Sequence, residues 1–325
     1  METLNISTLA KRFSDEGAAY ELLEEMRWPN GPECPHCGTV GRAYFLKPKN
    51  GQRLTSTGKV SHRRLWKCAS CRKKFSVLVG TIFESSHVPL SKWLMALYMM
   101  ASNKNGVAAF EVHRTLGVTN ETAWFMLHRI REAMKRGELA DTMRGTIVAD
   151  ETFIGGDPKN RHASSITPRP IKAGEPRIKT DKVSVLSLIN RSTGEVRSQV
   201  IPDVTGPTLA KAMAEHVNMA NSHLQSDGWM GYRQFAGQFI SHDWVDHGNG
   251  EYVRGDVTTN EAENYFSQLK RSLDGTFHHV SREHLGRYLT EFDFRYSTRK
   301  MTDSDRMRRV VGQAGGRRLT YQTIT

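Results

Sequence analysis

Three acidic residues are the side chains in this sequence best suited to chemistry. Asp150 lies in residues 146–154, a run rich in Ile, Val, Thr and Phe that is typical of a mostly buried strand. Asp227 precedes a turn glycine, and Glu263 lies near the start of a predicted helix. A buried carboxylate loses its hydration and persists only where a cation or strong donors compensate. If the three acids converge, they form a hard-oxygen site that suits Mg²⁺ or Mn²⁺.

The helix predicted from residue 260 has one polar and one apolar face. Glu263, Ser267 and Lys270 share the polar face, whereas the opposite stripe consists of Phe266, Leu269 and Leu273. Glu263 is therefore expected to point away from the core. A structural role is the alternative, because Asn260 as N-cap with Glu263 three residues later resembles a capping box. The two roles are compatible.

Three sequence blocks carry a resemblance to a known family. They are VADETFIGG (148–156), SDGWMGY (226–232) and TNEAENYFSQLKRSLDGTFHHVSREHLGRYLTEFDFRYSTR (259–299). The sequence resembles the IS1595 (ISXO2-like) insertion-sequence transposases over nearly the whole chain. This resemblance implies an RNase H-like catalytic core with a metal-binding acidic triad, here Asp150, Asp227 and Glu263. It also implies a basic role for Lys270. Since some relatives have Asn as the third residue, Asn260 is a rival to Glu263.

All four cysteines of the chain fall into two Cys-x-x-Cys pairs, Cys34 with Cys37 and Cys68 with Cys71. Two such pairs, with no cysteine left over, predict one tetrahedral site for a structural Zn²⁺. Residues 38–67 form an unusually long spacer, in which residues 47–52 offer a turn between short strands. Zinc would supply the folding energy that so small a core lacks. A redox role is the alternative, disfavoured because such pairs rarely occur twice with matched spacing.

Residues 88–140 change to helical periodicity and predict a helix-turn-helix segment that binds DNA. Helices are expected over residues 90–100 and 107–116 and from residue 121, with a turn at Gly117. The start of the last helix is the part that such a motif places in the major groove. The residues predicted to contact DNA are Thr119, Asn120, Glu121, Thr122, Arg129 and Arg131, together with Lys270 and Arg271 on the helix of the third acid.

The charge balance favours a polyanionic partner. The chain has 46 Lys and Arg against 34 Asp and Glu, a net charge of +12, and its 38% hydrophobic content is adequate for real cores. No apolar run approaches the roughly 18 to 20 residues that span a bilayer, so no membrane partner is expected. The acidic N-terminal segment does not fit a secretory signal. We therefore expect a cytoplasmic, nucleoid-associated bacterial protein, and the resemblance implies terminal-repeat and target DNA as partners of a homo-oligomer.

The expected fold class is multi-domain α/β. The predicted parts are an N-terminal helical segment (1–32), a zinc ribbon (33–80), the helix-turn-helix segment (88–140), an RNase H-like mixed-sheet core (145–300) and a basic C-terminal tail (301–325). Within the core, a hairpin is expected over residues 183–201 and a helix from 205 to about 217. Residues 157–182 are polar and basic and predict a long loop, which either clamps DNA or is disordered.

These observations lead to one expected activity and two alternatives. The triad and the resemblance together imply a DDE-type DNA transposase that cleaves insertion-sequence ends and transfers the strands into target DNA. An RNase H-like nuclease or resolvase would share the acidic site but would not join strands. A zinc-ribbon regulator would bind DNA without metal-dependent turnover. The three acids and the size of the C-terminal half argue against the regulator.

Overall fold

The computed structural model describes residues 4–13, 15–48, 51–55, 57–135, 141–155, 182–317 and 319–320. The chain divides into two compact units. The first unit combines Met1–Gly137 with Lys300–Thr325, and the second is Glu138–Arg299. The predicted ribbon and helix-turn-helix segment fall in the first unit, and the acidic residues fall in the second.

The first unit begins with helices α1 (Ile6–Arg12) and α2 (Glu16–Arg27). Asp15 caps α2 by accepting a hydrogen bond of 3.0 Å from the Gly17 N–H. Strands β1 (Ala43–Phe45), β2 (Trp66–Cys68) and β3 (Lys74–Phe75) follow and form a small antiparallel sheet in that order. Its core is aromatic and consists of Trp28, Phe45, Trp66 and Phe75 in edge-to-face contact.

Three helices form the predicted helix-turn-helix region, α3 (Leu90–Ser102), α4 (Ala109–Leu116) and α5 (Asn120–Met134). Gly117 ends α4 in the left-handed conformation (φ 60°, ψ 47°), which a residue without Cβ adopts at little cost. Thr119 then caps α5 by accepting a hydrogen bond of 3.2 Å from the Thr122 N–H. These local signals place the turn where the sequence predicts it.

The second unit is built on a five-stranded sheet. Its strands are β4 (Met143–Ile154), β5 (Val183–Asn190), β6 (Val196–Ile201), β7 (Val217–Asp227) and β8 (Ser241–Val245), with helices α6 (Gly206–His216) and α7 (Met230–Arg233) between them. The spatial order is β6-β5-β4-β7-β8; β4, β5 and β6 pair antiparallel, and β7 and β8 run parallel to β4. This mixed sheet confirms the predicted RNase H-like fold class.

Helices cover both faces of that sheet. The short hairpin β9 (Val253–Arg254) and β10 (Val257–Thr258) leads into α8 (Asn260–Ser272), a π-helical turn at Leu273–Phe277 and α9 (Arg282–Ser297). Val148 and Val185 pack with α8 and α9 on one face, whereas Ile147 and Ala149 pack with α6 and α7 on the other. The period of two along β4 therefore divides its side chains between two apolar cores.

The structure differs from the sequence prediction in the C-terminal segment. Residues Asp303–Gly312 form helix α10 instead of a tail, because Met307, Val310 and Val311 make an apolar stripe that is buried. Ser304 Oγ accepts a hydrogen bond of 2.7 Å from the Leu4 N–H, which ties α10 to the N-terminus. Among the helices in the part of the chain that the structure describes, none is long and apolar enough to cross a membrane.

Candidate active site and zinc site

Asp150 and Asp227 lie on adjacent parallel strands at equivalent heights. The register of β4 and β7 pairs Val148 with Gln225, and each acid lies two residues further along its strand. Side chains alternate along a strand, so Asp150 lies on the face of Val148, which is the face covered by α8 and α9. The sheet therefore brings together two acids that are far apart in the sequence.

Glu263 projects from the solvent side of α8, with 49% of its side chain exposed. Its neighbour Ala262 is buried against the same apolar core as Val148, which fixes the helix over the sheet. The Nδ1 atom of His247 lies 3.8 Å from Glu263 Oε1. Lys270 is exposed two turns further along the helix.

The capping box that the sequence suggested for α8 is not formed. Asn260 is the first residue of the helix, and the N-cap is Thr259, which makes no side-chain capping hydrogen bond. The backbone N–H of Asn260 donates to Thr258 Oγ1 at 3.1 Å, so the turn before the helix satisfies that donor in another way. Glu263 is thus not committed to capping, and the exposed Asn260 lies one turn before it.

The pKa of Asp150 is raised to about 7, first by burial and then by the negative charge of Asp227. The charge of Glu263 raises it further, whereas the Glu151 N–H and the charge of Lys270 lower it. The three charged side chains and the Glu151 N–H therefore all act on the carboxyl group of Asp150. Among the described residues, however, the cysteines form the only group of three or more whose ligand atoms all lie within 4.8 Å of one another. Asp150, Asp227 and Glu263 are therefore close enough to affect each other's charge, but their carboxyl oxygens do not all lie within 4.8 Å of one another.

Glu151 is a functional candidate that the sequence reasoning missed. It points to the face of β4 opposite Asp150, where the hydroxyl of the fully buried Tyr232 donates a hydrogen bond of 2.5 Å to its Oε1. Burial raises the pKa of Glu151 to about 8 although Tyr232 lowers it, and the charges of Asp227 and Asp150 add to the rise. The sequence feature that could have identified Glu151 is its position directly after Asp150 in a predicted buried strand, where an acid is costly.

The four cysteines form a compact cluster, in which Cys34 and Cys37 come from the segment before β1 and Cys68 and Cys71 from the end of β2 and the turn after it. Their sulfurs all lie within 4.8 Å of one another; the Sγ atoms of Cys34 and Cys71 are 3.6 Å apart, and those of Cys37 and Cys68 are 3.7 Å apart. Hydrogen bonds from the side chain and backbone of Thr39 lower the pKa of Cys37 to about 6. Four sulfur ligands in such a cluster suit a structural zinc ion and support the predicted site.

The residues predicted to contact DNA fall into two groups. Asn120, Lys270 and Arg271 are exposed, and Thr119 and Thr122 lie at the start of α5, where their hydroxyls bond each other at 2.8 Å. Arg129 and Arg131, in contrast, are 3% and 1% exposed. Arg129 donates to the Glu84 carbonyl at 2.8 Å and lies over the rings of Trp93 and Phe125. The prediction of surface DNA contacts for these two arginines is therefore wrong.

The predicted DNA-clamping loop over residues 157–182 lies outside the described residues except for Lys182. Of the core elements around it, β5 and β6 lie where the hairpin was predicted. Helix α6 ends at His216, one residue before the predicted end at about residue 217. Strand β7 begins directly after it and carries Asp227 as its last residue.

Comparisons with known proteins agree with this architecture. Residues 142–297, which contain the whole mixed sheet, match the family described as ISXO2-like transposase domain, and residues 14–74 match the transposase zinc-ribbon domain. The chain is also 26% identical over 315 residues to a Halobacterium salinarum protein named "Uncharacterized protein in transposable element ISH50". That alignment covers 94% of this chain and 98% of the relative.

The two matched domains define the class of the protein as a transposase. More specifically, the chain belongs to the IS1595 family of ISXO2-like insertion-sequence transposases. A transposase acts on DNA, so membership of this family implies DNA as a partner. The N-terminal match contains all four cysteines, and the C-terminal match contains Asp150, Asp227 and Glu263.

Proposed function

We propose that this transposase cleaves DNA at the ends of its insertion sequence and joins those ends to target DNA, with divalent metal ions held by Asp150, Asp227 and Glu263. The observation that supports this most directly is the raised pKa of Asp150, on which both of the other acids act. A buried carboxyl beside two like charges is a typical arrangement for a site that is completed by a cation.

Each residue has a distinct task in this proposal. Asp150 and Asp227 would hold the metal from the sheet, and Glu263 would approach from α8. The divalent metal that these carboxylates would hold would supply activation of a water or a 3′-hydroxyl and stabilisation of the leaving oxygen of the phosphodiester. Lys270, exposed on the same helix, would contact a substrate phosphate as a point charge. The carboxyl oxygens act as ligands, and no covalent enzyme intermediate is needed.

The donor set fits Mg²⁺ or Mn²⁺ better than a softer metal. All three proposed ligands are carboxylates, which hard cations prefer, and the cysteines are gathered in the other unit. Burial and like charges favour the protonated form of Asp150, and a bound cation would offset both effects. The proposal includes a homo-oligomer assembled on DNA.

The experiment uses the full chain, Mg²⁺ and oligonucleotides that carry the terminal repeats flanking the gene. Asp150→Asn, Asp227→Asn and Glu263→Gln should each reduce cleavage by more than about 100-fold, because even outer partners of metal ligands contribute about 10- to 100-fold. Matched controls are Asp243→Asn on β8 and Glu215→Gln on α6, both exposed and outside the proposed triad. Full cleavage by the Asp150 variant would refute the metal site.

A second assay separates cleavage from joining. Ends that are already nicked are supplied with a target duplex, and joined products are counted. The transposase proposal expects joined strands, whereas a nuclease or resolvase would hydrolyse DNA without joining it. DNA binding with no metal-dependent product in either assay would support a regulator.

A further inference from the structure

Trp229 is half exposed and yet held in one orientation. It is 49% exposed, while its indole N–H donates to the Val204 carbonyl at 3.1 Å. Its backbone N–H donates to Asp227 Oδ1, also at 3.1 Å. A Cβ atom on Gly231 would lie 2.7 Å from the indole nitrogen, so the absence of a side chain there makes room for the ring. The ring is fixed on one edge and open to solvent elsewhere.

The surroundings of this ring are apolar and cationic. Met230 is 61% exposed beside it. The residue that precedes this tryptophan, Gly228, lies beside a second ring: a Cβ atom on Gly228 would be 3.9 Å from Cδ1 of Trp244. The guanidinium groups of Arg233 and Arg254 lie 4.7 and 5.8 Å from the centre of the Trp244 ring. Aromatic rings interleaved with arginines are typical of surfaces that bind unpaired nucleic acid.

The position of Trp229 connects this surface to the proposed chemistry. The residue lies two positions after Asp227 and is hydrogen-bonded to its carboxylate. A phosphate held at the metal site would therefore have its neighbouring nucleotides close to the indole. A rigid aromatic ring can bind any base by stacking, since every base has a π-face.

We propose that Trp229 is a stacking platform for a nucleobase that leaves the duplex next to the scissile phosphate. This inference rests on the proposed function, because it takes DNA at the site as given. An unpaired base stacks on the exposed part of the indole, and Arg233 and Arg254 neutralise nearby phosphates. Extruding a base from a duplex has a cost that is smallest where the base is already unpaired. Trp229 should therefore matter most on fully paired ends.

The first test compares paired and pre-opened ends. Trp229→Ala should cut duplex-end cleavage about 10- to 100-fold, the range expected for loss of one base–aromatic stack. It should have little effect on ends whose flanking nucleotides are unpaired. Trp229→Phe keeps a stacking ring and should restore most of the duplex activity. Ile240→Ala, a similarly exposed apolar residue just before β8, is the matched control.

The second test does not require cleavage. 2-Aminopurine is placed at the nucleotides flanking the cleavage site, and its fluorescence is measured on binding in an Asp150→Asn background. With Trp229 present, extrusion of one labelled base should change the signal at that position, and Trp229→Ala should abolish the change while DNA is still bound. Because this measurement does not depend on cleavage, it tests the stacking role even if the cleavage proposal is wrong. Conversely, an unchanged signal would contradict the stacking role without affecting the cleavage proposal.

Several results would overturn the inference. They are an equal loss for Trp229→Ala on paired and unpaired ends, no loss on either, or an unchanged 2-aminopurine signal. Loss of an oligomer by light scattering, with normal activity per assembled complex, would instead assign Trp229 to a contact between copies of the chain. Thermal unfolding of each variant shows whether it is folded, and the Phe variant keeps the test valid if the Ala variant is not.

Discussion

The hydroxyl of Tyr232 donates a hydrogen bond of 2.5 Å to Oε1 of Glu151, on the face of the sheet opposite Asp150. Tyr232 belongs to α7, which follows Asp227, and Glu151 belongs to β4, which carries Asp150. The bond therefore links the two segments that hold the first two acids. Tyr232 itself is fully buried.

Tyr232→Phe tests this link. The variant keeps the ring but leaves the buried Glu151 carboxyl without its donor, so we expect a loss of about 1 to 3 kcal/mol in unfolding free energy. We also expect a higher Mg²⁺ concentration at half-maximal cleavage, because the hydrogen bond that connects the segments carrying Asp150 and Asp227 is lost. Urea denaturation and a Mg²⁺ titration measure these effects. Tyr252→Phe, on the exposed loop before β9, is the control, and equal effects in both variants would contradict the link.

Glu263 and Asn260 can be separated as the third metal ligand. The charge of Glu263 raises the pKa of Asp150, whereas Asn260 is exposed at the first turn of α8. Asn260→Ala should keep cleavage within about 10-fold of the parent, while Glu263→Gln should lose more than about 100-fold. Cleavage rates at saturating Mn²⁺ measure both. The opposite ranking would assign the role to Asn260.

Stability should depend on pH through Asp293 in α9. This buried carboxyl accepts hydrogen bonds of 2.7 Å from the N–H and hydroxyl of Ser198 and from the Tyr265 hydroxyl, yet burial raises its pKa from 3.8 to about 6. The folded state thus binds a proton more tightly than the unfolded chain. The resulting stabilisation is complete below about pH 4 and is lost as pH rises through about 6.

Asp293→Asn is the variant that isolates this contribution. It should be less stable throughout, because an NH₂ group that cannot accept a hydrogen bond replaces one of the two acceptor oxygens, and three donors then compete for a single oxygen. Its stability should, however, fall less between pH 4 and 6. Denaturation midpoints at each pH measure the two slopes. Parallel slopes for parent and variant would show that Asp293 does not titrate in this range.

Removal of the predicted zinc should unfold the ribbon. Cys68→Ser or a strong chelator should release one Zn²⁺ per chain and increase the exposure of Trp66, which packs against Trp28 and donates to Glu24 at 2.8 Å. Zinc analysis and tryptophan fluorescence follow the change. His36→Ala should keep the metal, since the cluster contains only cysteines. Zinc loss in that control would require a different ligand set.

Arg129 should contribute to folding and not to DNA affinity. Arg129→Ala should lower the unfolding free energy by about 1 to 3 kcal/mol, because it removes a buried hydrogen bond and contacts with two rings. The slope of log affinity against log salt should not change. Arg271→Ala, on the exposed face of α8, should instead reduce that slope by about 0.9. A reduced slope for the Arg129 variant would place it on DNA.

The sequence predicted those features whose signals are local. The cysteine pairs are complete within two short motifs, and the turn at Gly117 depends on one residue and its neighbours. Strands β4 to β6 carry short runs of apolar residues, which are typical of buried strands. The sequence spacing of Asp150 and Asp227 does not fix the order of the strands that carry them. Their adjacent positions could therefore be predicted only from the resemblance to a family.

The features that were missed depend on tertiary contacts. Strand β8 has little apolar alternation and exists because it adds to the parallel edge of β7. Arg129 was predicted to contact DNA from the helix-turn-helix segment, but its guanidinium lies over the rings of Trp93 and Phe125 and donates to the Glu84 carbonyl. The partner of Glu151 is Tyr232, far away in the sequence and on the other face of the strand from Asp150. Each outcome depends on neighbours that a linear pattern does not contain.

The C-terminal segment belongs to the first unit, and this determines the order in which the two units can fold during translation. Leu4 bonds to Ser304, and the Arg317 guanidinium donates to the Glu132 carbonyl at 2.7 Å near the end of α5. Every strand of the mixed sheet has left the ribosome before these residues emerge. The sheet can therefore form during translation, whereas the unit that was started first is completed last.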